Sequence, residues 1–265
     1  MTVVGIDVGA SKIHAATVDV THGEVHRELR TETPVSAGGA VVLDACAELA
    51  RELAPGGANA IGIGLCEFVD LTGRPTSAFT VDWRHLDVAG AFGGAHVCIE
   101  SDVRAAAMAE ARFGETGQWR SFVYLTVGSG VSYCLVLDGR PYAGARGNAI
   151  VVGAPPVEQR SGGLALAARA GVERAELVLN DPAHSSLVDE AADELGLALA
   201  ALVNALDPEA VVVGGGQGMV DRYRERLAHA ARAAIEHEAT RELHIVPATL
   251  GPRSGVVGAA LATLR

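Results

Sequence analysis

The chain is 265 residues long, 49% of them hydrophobic, with a formal charge of −11. That length allows one large domain or two small ones around a real core, and the acidic balance excludes a face built to grip a phosphate backbone, which needs clustered Lys and Arg. Lys12 is the single lysine, so an anionic ligand has to be held by backbone N–H groups and a metal rather than by basic side chains. Cys46, Cys66, Cys98 and Cys134 make no C-x-x-C pair. That speaks against a zinc knuckle or disulfide framework and for small buried thiols in a reducing compartment. The sequence starts directly on an apolar strand without a basic leader. No stretch approaches the roughly 20 apolar residues of a membrane span. A soluble cytoplasmic protein with neither membrane nor nucleic-acid partner is expected.

In chain order, Val3 to Val8 is β-branched and alternating and runs into a turn at Gly9, with Ile13 to Val20 as its hairpin partner. Gly39 to Leu53 has apolar residues at helical spacing and stops at Pro55-Gly56-Gly57. Ala60 to Leu65 and Val97 to Glu100 read as short buried strands, the second followed by a helix from Asp102 to Phe113. Phe122 to Val127 and Ser132 to Leu137 are strands separated by Gly128-Ser129-Gly130, and Asp138-Gly139 signals a hairpin turn. Helices are expected over Gly162 to Ala170 and Ser186 to Leu206. A strand over Ala210 to Val213 enters Gly214-Gly215-Gly216, and an amphipathic helix follows from Val220 to Glu238. Glu242 to Val246 is a strand, and Gly255 to Leu264 a helix of small residues. Both halves open on a hairpin with a Gly-containing turn. This mixture of strands and helices predicts α/β layers, with a boundary near Gly114 to Gln118, hence domains 1–116 and 117–265 and a last helix that packs back on the first.

Three Gly-rich turns each follow an apolar strand. Glycine lets a backbone approach a ligand, and successive N–H groups make an anion nest, although each turn alone also reads as an ordinary tight turn. In the first, Asp7-Val8-Gly9-Ala10-Ser11-Lys12, a strand-end carboxylate is placed to hold Mg²⁺ directly or through water, or simply to cap the turn. In Ile99-Glu100-Ser101-Asp102, Asp102 stands at the mouth of a helix after a buried strand. That position suits a plain N-cap or a general base.

These segments resemble the ROK group of bacterial sugar kinases, a branch of the actin–hexokinase–Hsp70 superfamily. The resemblance runs from Gly5 to Leu261. It rests on GIDVGASKI (Gly5 to Ile13), IGIGLCEFVDLTG (Ile61 to Gly73), VCIESDVRAAAMAE (Val97 to Glu110), YLTVGSGVS (Tyr124 to Ser132), LDPEAVVVGGG (Leu206 to Gly216) and SGVVGAALA (Ser254 to Ala262). It implies two actin-like (ribonuclease-H-like) ATPase domains with a cleft between them, and ATP with Mg²⁺ near Asp7. Phosphate turns are implied at Gly9, Ala10, Ser11, Lys12 and at Gly128, Ser129, Gly130, and an adenosine site at Gly214, Gly215, Gly216. Asp102 is implied as the base acting on a sugar-like acceptor, and the assembly as a homodimer.

The departures from the family pattern concern the acceptor. Val151 replaces the usual sugar-binding Glu and Ala154 the usual His. The cysteine-rich zinc motif is absent, so no structural zinc is expected. Thr80 and Ser101 stand where the family has Asn, and Cys66-Glu67 where it has Pro-Gly. Thr80, Asp82, Ser101, Asp102, Val151 and, as replacement contacts, Glu67, Arg146 and Asn148 are the candidate acceptor residues, with an exposed loop glutamate the competing reading of Glu67. Each lost partner in a buried polar site costs about 1–3 kcal/mol. The expected activity is therefore ATP-dependent phosphorylation of a hydroxyl on a modified sugar or carbasugar (cyclitol), with glucose a poor acceptor. A non-catalytic ligand-binding or regulatory member is the alternative. A DNA-binding repressor is disfavoured by the charge and by the four residues that precede Gly5.

Overall fold

The computed structural model describes residues 2–152 and 155–265. Contacts divide the chain into two compact units. One comprises Met1–Thr116, Arg140–Ala149 and Arg253–Arg265, the other Gly117–Gly139 and Ile150–Pro252. A single boundary at 116 therefore does not describe the chain, because the 140–149 segment and the last helix both group with the first unit.

The first unit is built on strands β1 (Thr2–Val8), β2 (Lys12–Asp19), β3 (Glu24–Glu32), β4 (Ala60–Leu65) and β5 (His96–Ser101), in the order β3-β2-β1-β4-β5. The first three are antiparallel neighbours, while β1, β4 and β5 run parallel. Its helices are α1 (Gly39–Leu53), the short α2 (Val88–Ala91), α3 (Asp102–Phe113) and α9 (Ser254–Ala262). Strand alternation explains the layering. Val4, Ile6, Val8, Ile61, Ile63 and Leu65 join Val42, Leu43, Cys46 and Leu53 of α1 in one core. The residues between them include Gly5 and Gly62. A Cβ at Gly5 would lie 2.0 Å from Val256 O, and one at Gly62 would lie 1.7 Å from Ala259 O. Helix α9 therefore rests directly on strand backbone. It is buried nearly all round, as a helix without a polar face must be.

The second unit holds β6 (Ser121–Val127) and β7 (Val131–Leu137); at β8 (Arg140–Pro141) the chain returns to the first unit. Helices α4 (Pro155–Ser161), α5 (Gly163–Ala170), α6 (Glu176–Leu179) and α7 (Ser185–Leu206) follow, then β9 (Ala210–Gly214), α8 (Asp221–Ala234) and β10 (His244–Pro247). Its own strands lie in the order β10-β9-β6-β7, with only β6 and β7 antiparallel. Val123, Leu125, Val127, Val211 and Val213 pack with Leu195, Leu199, Tyr223 and Leu227 of α7 and α8. The order β7-β6-β9-β10 repeats β2-β1-β4-β5, so the two similar openings in the sequence are the same hairpin-plus-parallel-strand plan used twice.

Strand β3 has no counterpart in the sequence reading. Its residues, EVHRELRTE, are mostly exposed, as befits a polar edge strand, and without an apolar face it lacks the alternation that marks a half-buried strand. Helix α8 ends at Ala234, four residues short of the expected Glu238, and is followed by buried Ile235.

Candidate active site

The parallel strands bring the acidic residues together. Asp7 of β1 is in register with Gly64 of β4, and Gly64 with Glu100 of β5; Asp102 then opens α3. A Cβ on Gly64 would lie 3.4 Å from Asp102 Cα and 3.6 Å from Asp7 Oδ1. Asp7 and Asp102 thus flank one glycine at the carboxyl ends of the strands, the edge where α/β folds place ligands. Burial pushes the Asp102 carboxyl up to about 7, helped by the charges of Asp7 and Glu67 and opposed by the Val103 N–H, which donates to Oδ1 at 2.7 Å. Burial pushes Asp7 up to about 6, against the pull of Lys12. The helix cap is a different residue. Ser101 Oγ accepts from Arg104 N at 3.4 Å, so the capping reading of Asp102 is corrected, and buried Ser101 is placed as the cap.

Around Asp7 the chain is shaped by glycine. A Cβ on Gly255, in the first turn of α9, would be 2.3 Å from Asp7 Oδ2. The following turn closes with Gly9 N donating to Lys12 O at 3.0 Å. It is braced from outside, since Thr33 Oγ1 donates to Gly9 O at 2.7 Å and Thr33 N to Ser11 O at 3.2 Å. Thr33 follows the unpredicted β3, so this support was invisible in the motif itself. Asp7 offers hard carboxylate oxygens in a desolvated setting that resists their ionisation. That donor chemistry fits Mg²⁺, which would relieve it.

Glu67 is neither an exposed loop residue nor a free contact. It is 2% exposed. Its Oε2 accepts from Ser77 Oγ at 2.5 Å and Phe79 N at 2.8 Å, its Oε1 from Thr80 N at 2.5 Å and Val81 N at 2.8 Å. Burial, with the charges of Asp102, Glu67 and Asp7, pushes the Cys66 thiol up and keeps it protonated. Asp82 is exposed and held by Arg84 through Nε at 2.9 Å and Nη2 at 2.8 Å.

Arg104 was not singled out from the sequence. It is buried in α3 and donates from Nε to Glu100 Oε1 at 2.7 Å, from Nη1 to Gly147 O at 2.5 Å and from Nη2 to Val69 O at 2.6 Å. Gly147 has φ +84°, and a Cβ there would be 2.2 Å from Val69 O. These contacts fix 144–149 against the loop after β4. Arg146 and Asn148 flank Gly147 and are exposed, as is Val151 of the second unit. Ala154 lies outside the described residues.

In the second unit, Gly128 N donates to Gly130 O at 2.9 Å, and the start of α5 closes on the same turn, with Gly163 N to Gly128 O at 2.7 Å and Leu164 N to Ser129 O at 3.0 Å. A Cβ at Gly128 or Gly216 would meet nothing within 4 Å. Local packing therefore gives no reason for glycine at either position. Gly214 and Gly215 are different. Their Cβ atoms would fall 2.2 Å from Tyr124 Oη and 2.4 Å from Val127 O, and Gly215 has φ +79°.

A cavity of about 520 Å³ in the first unit is lined by residues including Asp70, Cys98, Glu100 and Arg265, but by neither Asp7 nor Asp102. Among the described residues, no cluster of three or more His, Cys, Asp or Glu is arranged to hold a metal ion, and no helix is long and apolar enough to cross a membrane.

Two mixed α/β sheets with a repeated strand order and acidic residues at strand ends are the architecture of the actin-like ATPases, here as two domains. The chain matches the ROK family over residues 3–163 and 157–265 and belongs to it. It is 32% identical over 97% of its length to the bifunctional enzyme NanE/NanK of Brucella melitensis biotype 1, of which the match covers 53%, so the chain spans about half the length of that relative. It is 27% identical to the glucokinase of Streptomyces coelicolor, over 97% of this chain and 96% of that one. The structure resembles that of a ROK family glucokinase from Streptomyces griseus in complex with glucose and AMPPNP, with a TM-score of 0.85, 25% identity and 98% of each chain covered. It also resembles the ROK hexokinase of Thermus thermophilus, with a TM-score of 0.76, 30% identity, 99% of this chain and 97% of that one covered.

Proposed function

We propose that the chain is an ATP-dependent sugar kinase whose acceptor is a modified sugar or a cyclitol rather than plain glucose. The observation that carries the reading is the Asp7–Asp102 pair across Gly64, which poises a carboxyl near neutrality at a strand-end ligand edge. A group with that proton affinity is suited to take a proton at physiological pH. Asp102 accepts the proton of the acceptor hydroxyl at Oδ2, since Oδ1 carries the Val103 bond, as the hydroxyl oxygen forms its bond to the γ-phosphorus and ADP departs. Asp7 would hold Mg²⁺ through water, which would supply screening of the phosphate charge there. The turns Gly9 to Lys12 and Gly128 to Gly130 are assigned to the phosphates, and Gly214 to Gly216 to the adenosine.

The acceptor assignment is supported by Thr80 and Ser101 standing where the family has Asn, and by exposed Val151 where it has Glu. Phosphoryl transfer from ATP is to be measured against hexoses, N-acyl amino sugars and cyclitols. Turnover of a modified sugar or cyclitol well above that of glucose is expected. Glucose turned over as fast as any of them would refute the acceptor assignment, and no transfer to any acceptor would refute the kinase.

A further inference from the structure

The loop between β4 and Val81 is tied to one carboxylate. Glu67 sits two residues beyond β4, and four donors from Ser77 to Val81 converge on its two oxygens, three of them backbone N–H groups. The loop's outgoing and returning limbs are also joined to each other. Phe68 N donates to Ser77 Oγ at 2.8 Å, Thr76 N to Phe68 O at 2.7 Å, and Val69 bridges Pro75. Ser77 therefore relays Phe68 to Glu67. What the clamp holds is the Thr80 backbone, tied to Glu67 beside the end of β4, where Leu65 pairs with Ser101, the residue before Asp102, and Cys66 N donates to Val8 O at 3.2 Å. A buried carboxylate is costly unless its lone pairs are used, and here all four donors are supplied by one loop.

We propose that Glu67 is a positioning residue of the acceptor site, its carboxylate fixing the Ser77–Val81 loop so that Thr80 forms a wall beside Asp102. This rests on the kinase reading above and deepens it. The residue acts through the loop and does not touch the acceptor. The specificity of the chain toward its acceptor is then set partly by a side chain outside the contact surface.

The test uses Glu67→Gln and Glu67→Asp in the full chain. An amide has one acceptor oxygen. Whichever way the substituted amide turns, its NH₂ faces a backbone N–H that needs an acceptor, Phe79 on one side or Thr80 and Val81 on the other. Asp keeps both oxygens on a shorter stem and should restore part of the function. Hydrogen exchange is measured at the Phe79, Thr80 and Val81 amides, and steady-state kinetics with glucose, N-acetylmannosamine and myo-inositol as acceptors.

Glu67→Gln should speed exchange at those amides at least about tenfold and raise acceptor KM about tenfold or more, the equivalent of one lost hydrogen bond. It should leave the KM for ATP unchanged and kcat nearly so, with Glu67→Asp intermediate. Unchanged exchange, or faster exchange with unchanged acceptor KM, would overturn the proposal. So would a uniform loss of kcat and of both affinities with no rescue by Asp. If the wild-type chain transfers phosphate to none of the three, the kinase reading fails separately. Calorimetric binding of the same three compounds then decides this one: affinity weakened by Glu67→Gln supports it, and affinity unchanged or absent overturns it.

Discussion

Asp7 raises the proton affinity of Asp102 across Gly64, with only a glycine between the two carboxylates. The register of β1 with β4 produces the relationship, because any side chain at 64 would stand between the two acids. Burial is the larger cause of the raised Asp102 proton affinity and the Asp7 charge adds to it, while Asp7 itself is raised by burial against the pull of Lys12.

That raised affinity should appear in stability. An unfolded aspartate titrates near 3.9, while folded Asp102 titrates at about 7. Between these values the folded state binds the extra proton, so stability falls as pH rises from about 4 to about 7, and the penalty is complete above that. Asp102→Asn removes the charge, so it should raise Tm relative to the parent at pH 8 and by less than half as much at pH 5. Thermal denaturation of the unliganded proteins at both pH values measures it. An equal or larger gain at pH 5 would show that the Asp102 charge is not penalised.

The three glycines at the proposed adenosine turn are not equivalent. Gly216 is exposed with open space where a Cβ would go, whereas Gly215 has φ +79° and Val127 O in the way. Gly216→Val should weaken ATP binding about tenfold (~1.4 kcal/mol) without lowering Tm. Gly215→Val should lower both, which makes it unsuitable as a test of binding alone. Calorimetry showing unchanged ATP affinity in Gly216→Val would remove the adenosine assignment.

Helix α9 lies on backbone at three glycines, Gly5, Gly62 and its own Gly258, whose Cβ would fall 1.7 Å from Ala105 O. Backbone cannot swing aside as a side-chain tip does, and overpacking of this kind costs about 1–3 kcal/mol or more. Gly62→Ala and Gly258→Ala should each lower Tm by at least about 4 °C. Gly56→Ala, where a Cβ meets nothing within 4 Å, should leave it unchanged. Silent Gly62→Ala would mean that α9 does not pack this tightly.

The strongly patterned segments were legible. β1, α1, β4, α3, β6, β7, α7 and β9 announce themselves by apolar period and by Gly or Pro at their ends, and the family motifs ordered them into an actin-like plan. Strand β3 was not, because its partners lie in β2 and no apolar face marks it. The clamp at Glu67 was not, because its donors are mostly backbone N–H groups twelve to fourteen residues away, which no side-chain motif encodes. Arg104 left a faint signal, an Arg in the first turn of an Ala-rich helix four residues after Glu100, but its two carbonyl partners belong to loops at Val69 and Gly147. The packing of 144–149 in the first unit likewise rests on Arg104 and on Gly147 against Val69, contacts with no sequence period.

The reaction itself turns on Asp102, and the cap at Ser101 makes the test sharp. Because Ser101 Oγ supplies the cap of α3, the Asp102 side chain's bond to the helix is the one from Val103 N at Oδ1. Asn offers an oxygen to that same N–H and keeps the side-chain volume, but it cannot take up a proton from an acceptor hydroxyl. General-base help is worth about 10²–10⁴-fold in rate. Asp102→Asn should therefore cut kcat at least about a hundredfold while ATP affinity, measured by calorimetry, stays within about twofold, since the proposed phosphate and adenosine turns are elsewhere. The parent's kcat should also fall as pH drops through the Asp102 titration, a limb that the Asn variant lacks. A variant that keeps full turnover would show that some other group takes the proton. A variant that loses turnover and ATP binding together would place Asp102 among the nucleotide contacts instead.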